Sequence, residues 1–177
     1  MITLKFGGTS MANARRILAS SEIILNRAKE DRISVVVSAV AGVSNSLQAA
    51  IDATTTGISG DTYVSDLRNT HNEICLELQS KLPGFEAEKV MSRLEANFIE
   101  LGKLLAGCVS FAECPDTVHC RIMGMGELLS APIMEAVLLA KKQSVIYLDS
   151  RKFVFTTGNQ KEGEADYALC NEACAPF

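Results

Sequence analysis

The sequence predicts an α/β fold in which a mainly parallel sheet is sandwiched by helices, with a helical excursion at about residues 62–110. Two observations predict this class. Nearly continuous apolar segments, typical of strands in a parallel sheet, alternate with segments whose apolar residues recur at helical spacing. A strand, helix, strand order also implies right-handed crossovers and a layered structure. The 177 residues are enough for one domain with a sizeable core.

The amino-terminal part of the chain supplies the first strands. Residues 2–6, "ITLKF", are predicted as a short strand, and residues 11–29 as an amphipathic helix. Residues 33–37, "ISVVV", are β-branched and nearly continuous, which predicts a second strand buried on both faces. A further helix is expected to begin near Ser46.

Two helical stripes form the excursion, after a predicted loop at 54–62. Apolar residues recur at helical spacing between 64 and 82 and again between 90 and 105, and "PGF" at 83–85 separates the two runs. We therefore predict an antiparallel helix pair packed on the sheet domain. His71 lies on the first apolar stripe, which favours a packed core histidine over a ligand.

The next segment is predicted to be an interrupted helix. Pro115 and Asp116 are suited to open it. Gly124 and Gly126 are expected to interrupt it, and helical spacing resumes over residues 127–142.

The last part of the chain mixes strand, loop and helix signals. Residues 144–149, "SVIYLD", predict a third buried strand. The polar residues 156–164 predict a loop, and residues 165–174 a final helix that carries Cys170 and Cys174 four positions apart.

Composition excludes several function classes. A net charge of -4 argues against a nucleic-acid footprint. No apolar run approaches a membrane span and no signal-peptide pattern opens the chain, so we expect no membrane association and a cytoplasmic location. None of the six cysteines forms a C-x-x-C pair. Small buried thiols are therefore favoured over zinc, although His119 and Cys120 lie near Cys114.

The glycine pair near the amino terminus suggests a phosphate site. Gly7 and Gly8 follow the first predicted strand and would let the main chain approach an oxygen-rich ligand. Thr9 and Ser10 could cap the next helix or donate to the same anion, and Lys5 adds an ammonium. This layout is suited to neutralising charge as a phosphoryl group moves.

The glycine pair has one simpler explanation, and two established phosphate-binding motifs are excluded. A plain strand-to-helix turn with a hydroxyl cap explains the pair without any ligand. The Walker A pattern is absent, and the lysine precedes the glycines instead of following them. The dinucleotide fingerprint G-x-G-x-x-G is also absent.

Four strings give the chain a family resemblance. "KFGGTS" at 5–10 resembles the opening signature of aspartate kinases, members of the amino acid kinase family. "VVVSAVAGVSN" at 35–45 resembles the family's second strand and substrate loop, and "GMGELLSA" at 124–131 its substrate-binding glutamate segment. "YLDSRKF" at 147–153 resembles a further landmark, and "ECPD" at 113–116 favours the bifunctional aspartokinase–homoserine dehydrogenase branch.

The resemblance implies an activity. It is the phosphorylation of the L-aspartate β-carboxylate by ATP with Mg²⁺, giving 4-phospho-L-aspartate at the start of lysine, threonine and methionine synthesis. By motif, Lys5 would be catalytic, stabilising charge on the phosphoryl group, and the string from Gly7 to Ser10 would line the phosphate and substrate cleft. Ser38 and Ser44 would hydrogen-bond in the substrate loop, and Glu127 would pair with the α-ammonium. No resident metal site is expected.

Without the family context, simpler roles remain open for the substrate residues. Ser38 could be a strand-end hydroxyl, and Ser44 a helix cap. Glu127 could be an ordinary first-turn glutamate.

The resemblance also implies that residues 1–177 are the amino-terminal part of a kinase domain, an amino acid kinase-like N-terminal lobe. The family's "RGGSD"-like segment, its carboxy-terminal nucleotide lobe and its regulatory ACT domains have no counterpart here. We expect no useful turnover from this chain alone, some self-association, and a homo-oligomer in the intact protein. The alternatives are a non-catalytic binding or interaction module and a kinase for another carboxylate.

Overall fold

The computed structural model describes residues 1–159 and 161–175. The elements follow one another as β1 (Ile2–Phe6), α1 (Ala14–Ala28), β2 (Ile33–Val37), α2 (Val43–Thr55), α3 (Asp61–Lys81), α4 (Ala87–Phe111), α5 (Asp116–Met123), α6 (Met125–Ala140), β3 (Thr156–Thr157), β4 (Glu164–Ala165) and α7 (Tyr167–Cys174). Short 3₁₀ turns occupy Gly8–Met11 and Ser150–Lys152.

Strands β1 and β2 form a parallel pair, in register from Ile2 opposite Ile33 to Phe6 opposite Val37. The parallel pairing and the helices around it confirm the α/β class. The expectation that residues 33–37 are buried on both faces is wrong, since Val36 is 47% exposed. Helices α1 and α6 pack against β2. Phe6 is buried, and Leu4, Val35 and Val37 are partly buried against the core, whereas Lys5 and its partner Val36 are exposed.

The predicted third strand at 144–149 is wrong. These residues make no strand pairing within the described part of the chain, although their exposure still alternates. Tyr147 is half-buried beneath the Arg93 guanidinium, 4.9 Å from the ring centroid. Ile146 and Leu148 point outward. The residues have strand propensity, but a strand also needs a neighbour with which to exchange hydrogen bonds.

The helix pair α3–α4 confirms the predicted excursion and its antiparallel direction. Arg68 pairs with Glu95 at 2.6 Å, and a Cβ on Gly60, just before α3, would lie 2.8 Å from Leu105 near the end of α4. Helix α4 also packs against α2 and α6. The pair is therefore part of the main core rather than a separate layer on the sheet.

His71 is a buried core residue, as predicted. Its Nδ1 lies 2.7 Å from the Leu67 carbonyl oxygen, so Nδ1 carries the proton and donates. Its Nε2 is buried with no hydrogen-bond partner among the described residues, and its ring meets Phe98 edge-on at 5.9 Å. Burial lowers the pKa of His71, and the hydrogen bond to Leu67 opposes this only in part.

Helices α5 and α6 confirm the interrupted helix, with Gly124 at the junction. By length and hydropathy the 25 residues Asp116–Ala140 could cross a membrane, contrary to the expectation that no apolar run approaches a membrane span. However, 56% of the apolar window is buried inside the fold. Helix α6 packs against α1, α2, α3 and α4, so its apolar residues build the core.

The segment after α6 is loosely packed. Strands β3 and β4 form a short antiparallel hairpin at the ends of the predicted 156–164 loop, and α7 confirms the predicted final helix. The Phe155 N–H donates to Cys170 Sγ at 3.1 Å, which ties the start of the hairpin to α7.

None of the six cysteines forms a disulfide, and all six lie within the described residues. Cys75 and Cys108 are buried as predicted, but Cys174 is exposed on α7, where no neighbour covers it in the described residues. Burial raises the pKa of Cys75 to about 12. Burial, together with a hydrogen bond to Cys108, raises that of Cys114 to about 12. Neither thiol is therefore a nucleophile at neutral pH.

Candidate functional site

Three segments from distant parts of the sequence meet at the carboxyl edge of the β1–β2 pair. The Ser38 N–H donates to the Phe6 carbonyl at 2.9 Å, which joins the ends of the two strands. The Ala39 N–H donates to Oε1 of Glu127 at 3.1 Å, which brings the first turn of α6 to the same place. The carboxyl edge of parallel strands is where α/β folds place ligands.

The turn after β1 is held close to the loop after β2. A Cβ on Gly8 would lie 3.3 Å from the Ala39 carbonyl oxygen, tighter than most side chains accept, and 3.6 Å from Ala41 Cα, which is ordinary contact. The Ser10 N–H donates to the Gly7 carbonyl at 2.9 Å, which closes the 3₁₀ turn. Gly8 therefore lets the turn pack against the loop after β2, and the predicted approach of the glycine pair to a ligand stays a prediction.

The predicted capping role of Thr9 and Ser10 is wrong. Helix α1 begins at Ala14 instead of residue 11, and its cap is Asn13, whose Oδ1 accepts from the Arg16 N–H at 3.0 Å. An Asn side chain in extended backbone satisfies a first-turn N–H, whereas residues 9 and 10 are already inside the 3₁₀ turn. The dipole end of α1 therefore does not lie directly at the glycine pair.

A hydrogen bond from Ser20, which lies in α1, stabilises the glycine turn. Its buried hydroxyl donates to the Ser10 carbonyl at 3.1 Å, across ten residues. This contact is not predictable from the sequence, because a serine inside a helix gives no local signal of its acceptor.

Lys5 is exposed at the end of β1 and reaches over the glycine turn. Its Nζ lies 4.0 Å from the position that a Cβ on Gly7 would occupy. It forms neither a hydrogen bond nor an ion pair with residues 1–159 or 161–175. The ammonium is therefore available to an anion.

The two candidate serines of the second loop carry unengaged hydroxyls. Ser38 is half-buried at the end of β2, and Ser44 is exposed as the second residue of α2. Helix α2 begins at Val43 rather than near Ser46, because Gly42 adopts the left-handed conformation at φ 85° and turns the chain into the helix. Neither hydroxyl has a hydrogen-bond partner among the described residues, so Ser44 is not a helix cap.

Glu127 lies in the first turn of α6 with its carboxylate beside the end of β2. Gly126 allows this approach, since a Cβ there would lie only 2.6 Å from Ala39 Cβ. From sequence, Gly126 was interpreted only as a residue that interrupts a helix. Its packing against residue 39 is a long-range contact that no local pattern reveals.

The contacts connect Gly8, Ala39 and Glu127 directly, and Lys5 through the glycine turn. No hydrogen bond or ion pair within the described residues joins Lys5 to Glu127, or Ser44 to either. The edge therefore carries a cation, the Ser38 hydroxyl and a carboxylate, and no contact among the described residues joins Ser44 to them. A surface groove of about 550 Å³ between α3 and α4 shares no residue with this edge.

Comparisons with known proteins show what this chain is similar to. Residues 1–175 match the model of the amino acid kinase family. The chain is 32% identical over 167 residues to the bifunctional aspartokinase/homoserine dehydrogenase of Buchnera aphidicola, covering 90% of this chain and 20% of that protein. It is 28% identical over 166 residues to the bifunctional enzyme of Haemophilus influenzae, covering 94% of this chain and again 20% of the relative.

A solved structure shares the fold. Escherichia coli aspartokinase III in complex with aspartate and ADP superposes with a TM-score of 0.83 at 22% identity. The match covers 99% of this chain and 37% of that one. This chain thus spans about a fifth of the curated relatives' length and somewhat more than a third of the solved chain.

Proposed function

The chain belongs to the amino acid kinase family, and we propose that it forms the aspartate-binding part of an aspartate kinase. The reaction is the transfer of a phosphoryl group from ATP to the β-carboxylate of L-aspartate, giving 4-phospho-L-aspartate. The observation that carries the proposal is the meeting of the Gly8 turn, the Ala39 loop and Glu127 at one edge of the sheet. The names of the relatives and of the solved complex support it.

The phosphate side of the site would be built from Lys5 and the glycine turn. The missing Cβ at Gly8 leaves backbone close to the second loop, and the Lys5 ammonium reaches over Gly7 with no protein partner in the described residues. These features fit phosphate oxygens, whose charge Lys5 would offset during transfer. No cluster of three metal-ligating side chains occurs among the described residues, so Mg²⁺ would enter with the nucleotide.

The amino acid side would be built from Glu127, Ser38 and Ser44. With one oxygen on the Ala39 N–H, Glu127 has a second oxygen for the ligand's ammonium. The serine hydroxyls would donate to its carboxylates. The attacking β-carboxylate has a reference pKa of about 3.9 and is ionised at neutral pH, so it needs no general base. Repulsion from the triphosphate is the obstacle, and Lys5 would reduce it.

Titration calorimetry of the 177-residue chain with L-aspartate, L-glutamate and ATP tests the proposal. We expect L-aspartate to bind in preference to L-glutamate. Glu127→Gln should weaken the binding of L-aspartate by about tenfold or more, because a charged pairing is lost. Glu73→Gln, an exposed carboxylate on α3, is the matched control and should change nothing.

The nucleotide arm uses Lys5→Met, with Lys103→Met on exposed α4 surface as its control. Lys5→Met should weaken the binding of ATP and leave the binding of L-aspartate nearly unchanged. A chain that binds neither ligand would overturn the proposal in favour of a non-catalytic module. A coupled ADP-release assay should show no aspartate-dependent turnover; robust turnover would contradict the view that this chain supplies only part of the active site.

A further inference from the structure

We propose that Ser130 is a positioning residue that fixes the peptide between Ser38 and Ala39, and through it the carboxylate of Glu127. Its effect on ligand affinity rests on the proposed function, whereas its effect on the peptide does not. Ser130 is fully buried in α6, three residues after the exposed Glu127, and it would not touch the ligand itself.

Two side chains of α6 form hydrogen bonds with the peptide group between Ser38 and Ala39. Ser130 Oγ donates to the Ser38 carbonyl at 2.8 Å, and the Ala39 N–H donates to Glu127 Oε1 at 3.1 Å. That carbonyl and that N–H belong to the same peptide unit. Both partners come from one turn of α6, since Glu127 and Ser130 are three residues apart. The peptide plane therefore cannot rotate without losing a hydrogen bond.

The choice of acceptor distinguishes Ser130 from an ordinary helix serine. A buried helix serine usually donates to a carbonyl of its own helix, as Ser21 does to Leu18 at 2.7 Å. The Glu127 carbonyl is available to Ser130 in this way, but it lies farther away, at 3.3 Å. The shorter bond goes to a residue 92 positions away in sequence.

The contact has a direct consequence for Glu127. The absence of a Cβ at Gly126 lets α6 pack closely against Ala39. Ser130 orients the peptide between Ser38 and Ala39, and the Ala39 N–H then donates to one oxygen of the Glu127 carboxylate. The Glu127 side chain has then lost much of its rotamer freedom before any ligand arrives, and its second oxygen keeps a fixed direction. Without the Ser130 hydroxyl, the Ser38 carbonyl loses this hydrogen bond and the peptide is freer to rotate.

The Ala39 backbone amide reports this directly in the ¹⁵N-labelled chain. In Ser130→Ala we expect its resonance to move in the direction seen in Glu127→Gln, and its hydrogen-exchange protection to fall by about tenfold. Ser21→Ala, which removes an equally buried hydroxyl, is the matched control and should leave Ala39 unchanged. Thermal unfolding of each variant confirms that it is folded.

An unchanged Ala39 amide in Ser130→Ala, or an equal change in Ser21→Ala, would overturn the inference. Calorimetry with L-aspartate provides the second readout. Ser130→Ala should weaken binding by about fivefold, and the double variant with Glu127→Gln should bind no more weakly than Glu127→Gln alone. If the unmodified chain binds no L-aspartate, the proposed function fails, and the Ala39 amide decides the positioning inference by itself.

Discussion

Residues 1–140 and residues 141–175 use similar apolar residues in opposite ways. Every fully buried apolar side chain among the described residues lies between Phe6 and Leu138. The second region contains "SVIYLD", which has as many apolar residues as "ISVVV" in β2, yet no described side chain of the second region is fully buried. The difference lies in what each segment packs against, not in composition.

The two regions are also held by different forces. The first has a core of interlocking helices, whose burial is the main stabilising term. The second is held by exposed contacts such as Lys161 with Asp116 at 2.7 Å and Arg151 with Asp149 at 2.7 Å. Exposed ion pairs contribute little to stability. The candidate site lies wholly in the first region, so its geometry should not depend on the second.

Matched phenylalanine truncations should show the largest difference in stability between the two regions. Phe98 is fully buried between α3 and the rest of the core, whereas Phe155 is 39% exposed. Phe98→Ala should lower the free energy of unfolding by about 3–5 kcal/mol, because it removes contacts and leaves a cavity. Phe155→Ala should change it by less than about 0.5 kcal/mol. Urea denaturation measures both, and comparable losses would contradict the two-region description.

The buried histidine should make the core region sensitive to acid. Burial lowers the folded-state pKa of His71 below its ordinary value, so the unfolded chain binds this proton more readily. The neutral histidine's contribution is present above about pH 6.5 and is lost as pH falls from there toward the folded pKa. The loss is at most about 1.4 kcal/mol for each pH unit, the limit for one proton.

The comparison of the unmodified chain with His71→Phe isolates this contribution. Urea unfolding at pH 7.5 and pH 5.5 should show a larger acid loss in the unmodified chain than in the variant. Equal losses would mean that His71 does not carry the pH dependence. His119, whose Nε2 contacts Gln48, offers a control variant, His119→Gln.

Removing one helix cap in each region should show the same difference in stability, with a smaller effect. Asn13 caps α1 in the core region, and Asp166 caps α7 by accepting from the Ala168 and Leu169 N–H groups. Asn13→Ala should lower the global free energy of unfolding by about 1 kcal/mol. Asp166→Ala should fray α7 without moving the global transition. Hydrogen exchange resolved by residue separates the two, and a global loss in Asp166→Ala would show that the regions are coupled.

The smallest effect on stability should come from the outward apolar residues of the second region. Replacing Ile146 and Leu148 with serine should leave the free energy of unfolding within about 0.5 kcal/mol. It should, however, reduce self-association, because exposed apolar side chains on an unpaired extended segment favour contacts between copies. Sedimentation velocity over a range of concentrations measures this. Ile23→Ser, at an isolated exposed residue on α1, is the control.

Local sequence patterns are sufficient to predict those elements whose packing face is set by the spacing of their own apolar residues. The strands at 2–6 and 33–37, the helix pair and the break at Gly124 follow from apolar spacing and from Gly and Pro. Glu127 was identifiable because its string carries a family resemblance. The roles of Lys5, Ser38, Ser44 and Glu127 toward ligands remain predictions.

Long-range contacts set the limit of prediction. The segment 144–149 has the composition of a strand, but strand formation depends on a neighbour that composition does not specify. Gly126 and Ser130 matter because of residues 38 and 39, which are about ninety positions away. The start of α1 was misjudged because Thr9, Ser10 and Asn13 are all good caps, and only the 3₁₀ turn decides between them.

The central claim is that three separate segments of the core region form one ligand site. A titration of the ¹⁵N-labelled chain with L-aspartate, followed through its amide resonances, tests it most directly. The predicted result is that shifts cluster at residues 7–10, 38–44 and 126–130, while residues 144–159 stay unchanged. Shifts confined to the α3–α4 groove around Arg68 and Glu95, or no shifts at saturating L-aspartate, would contradict the account.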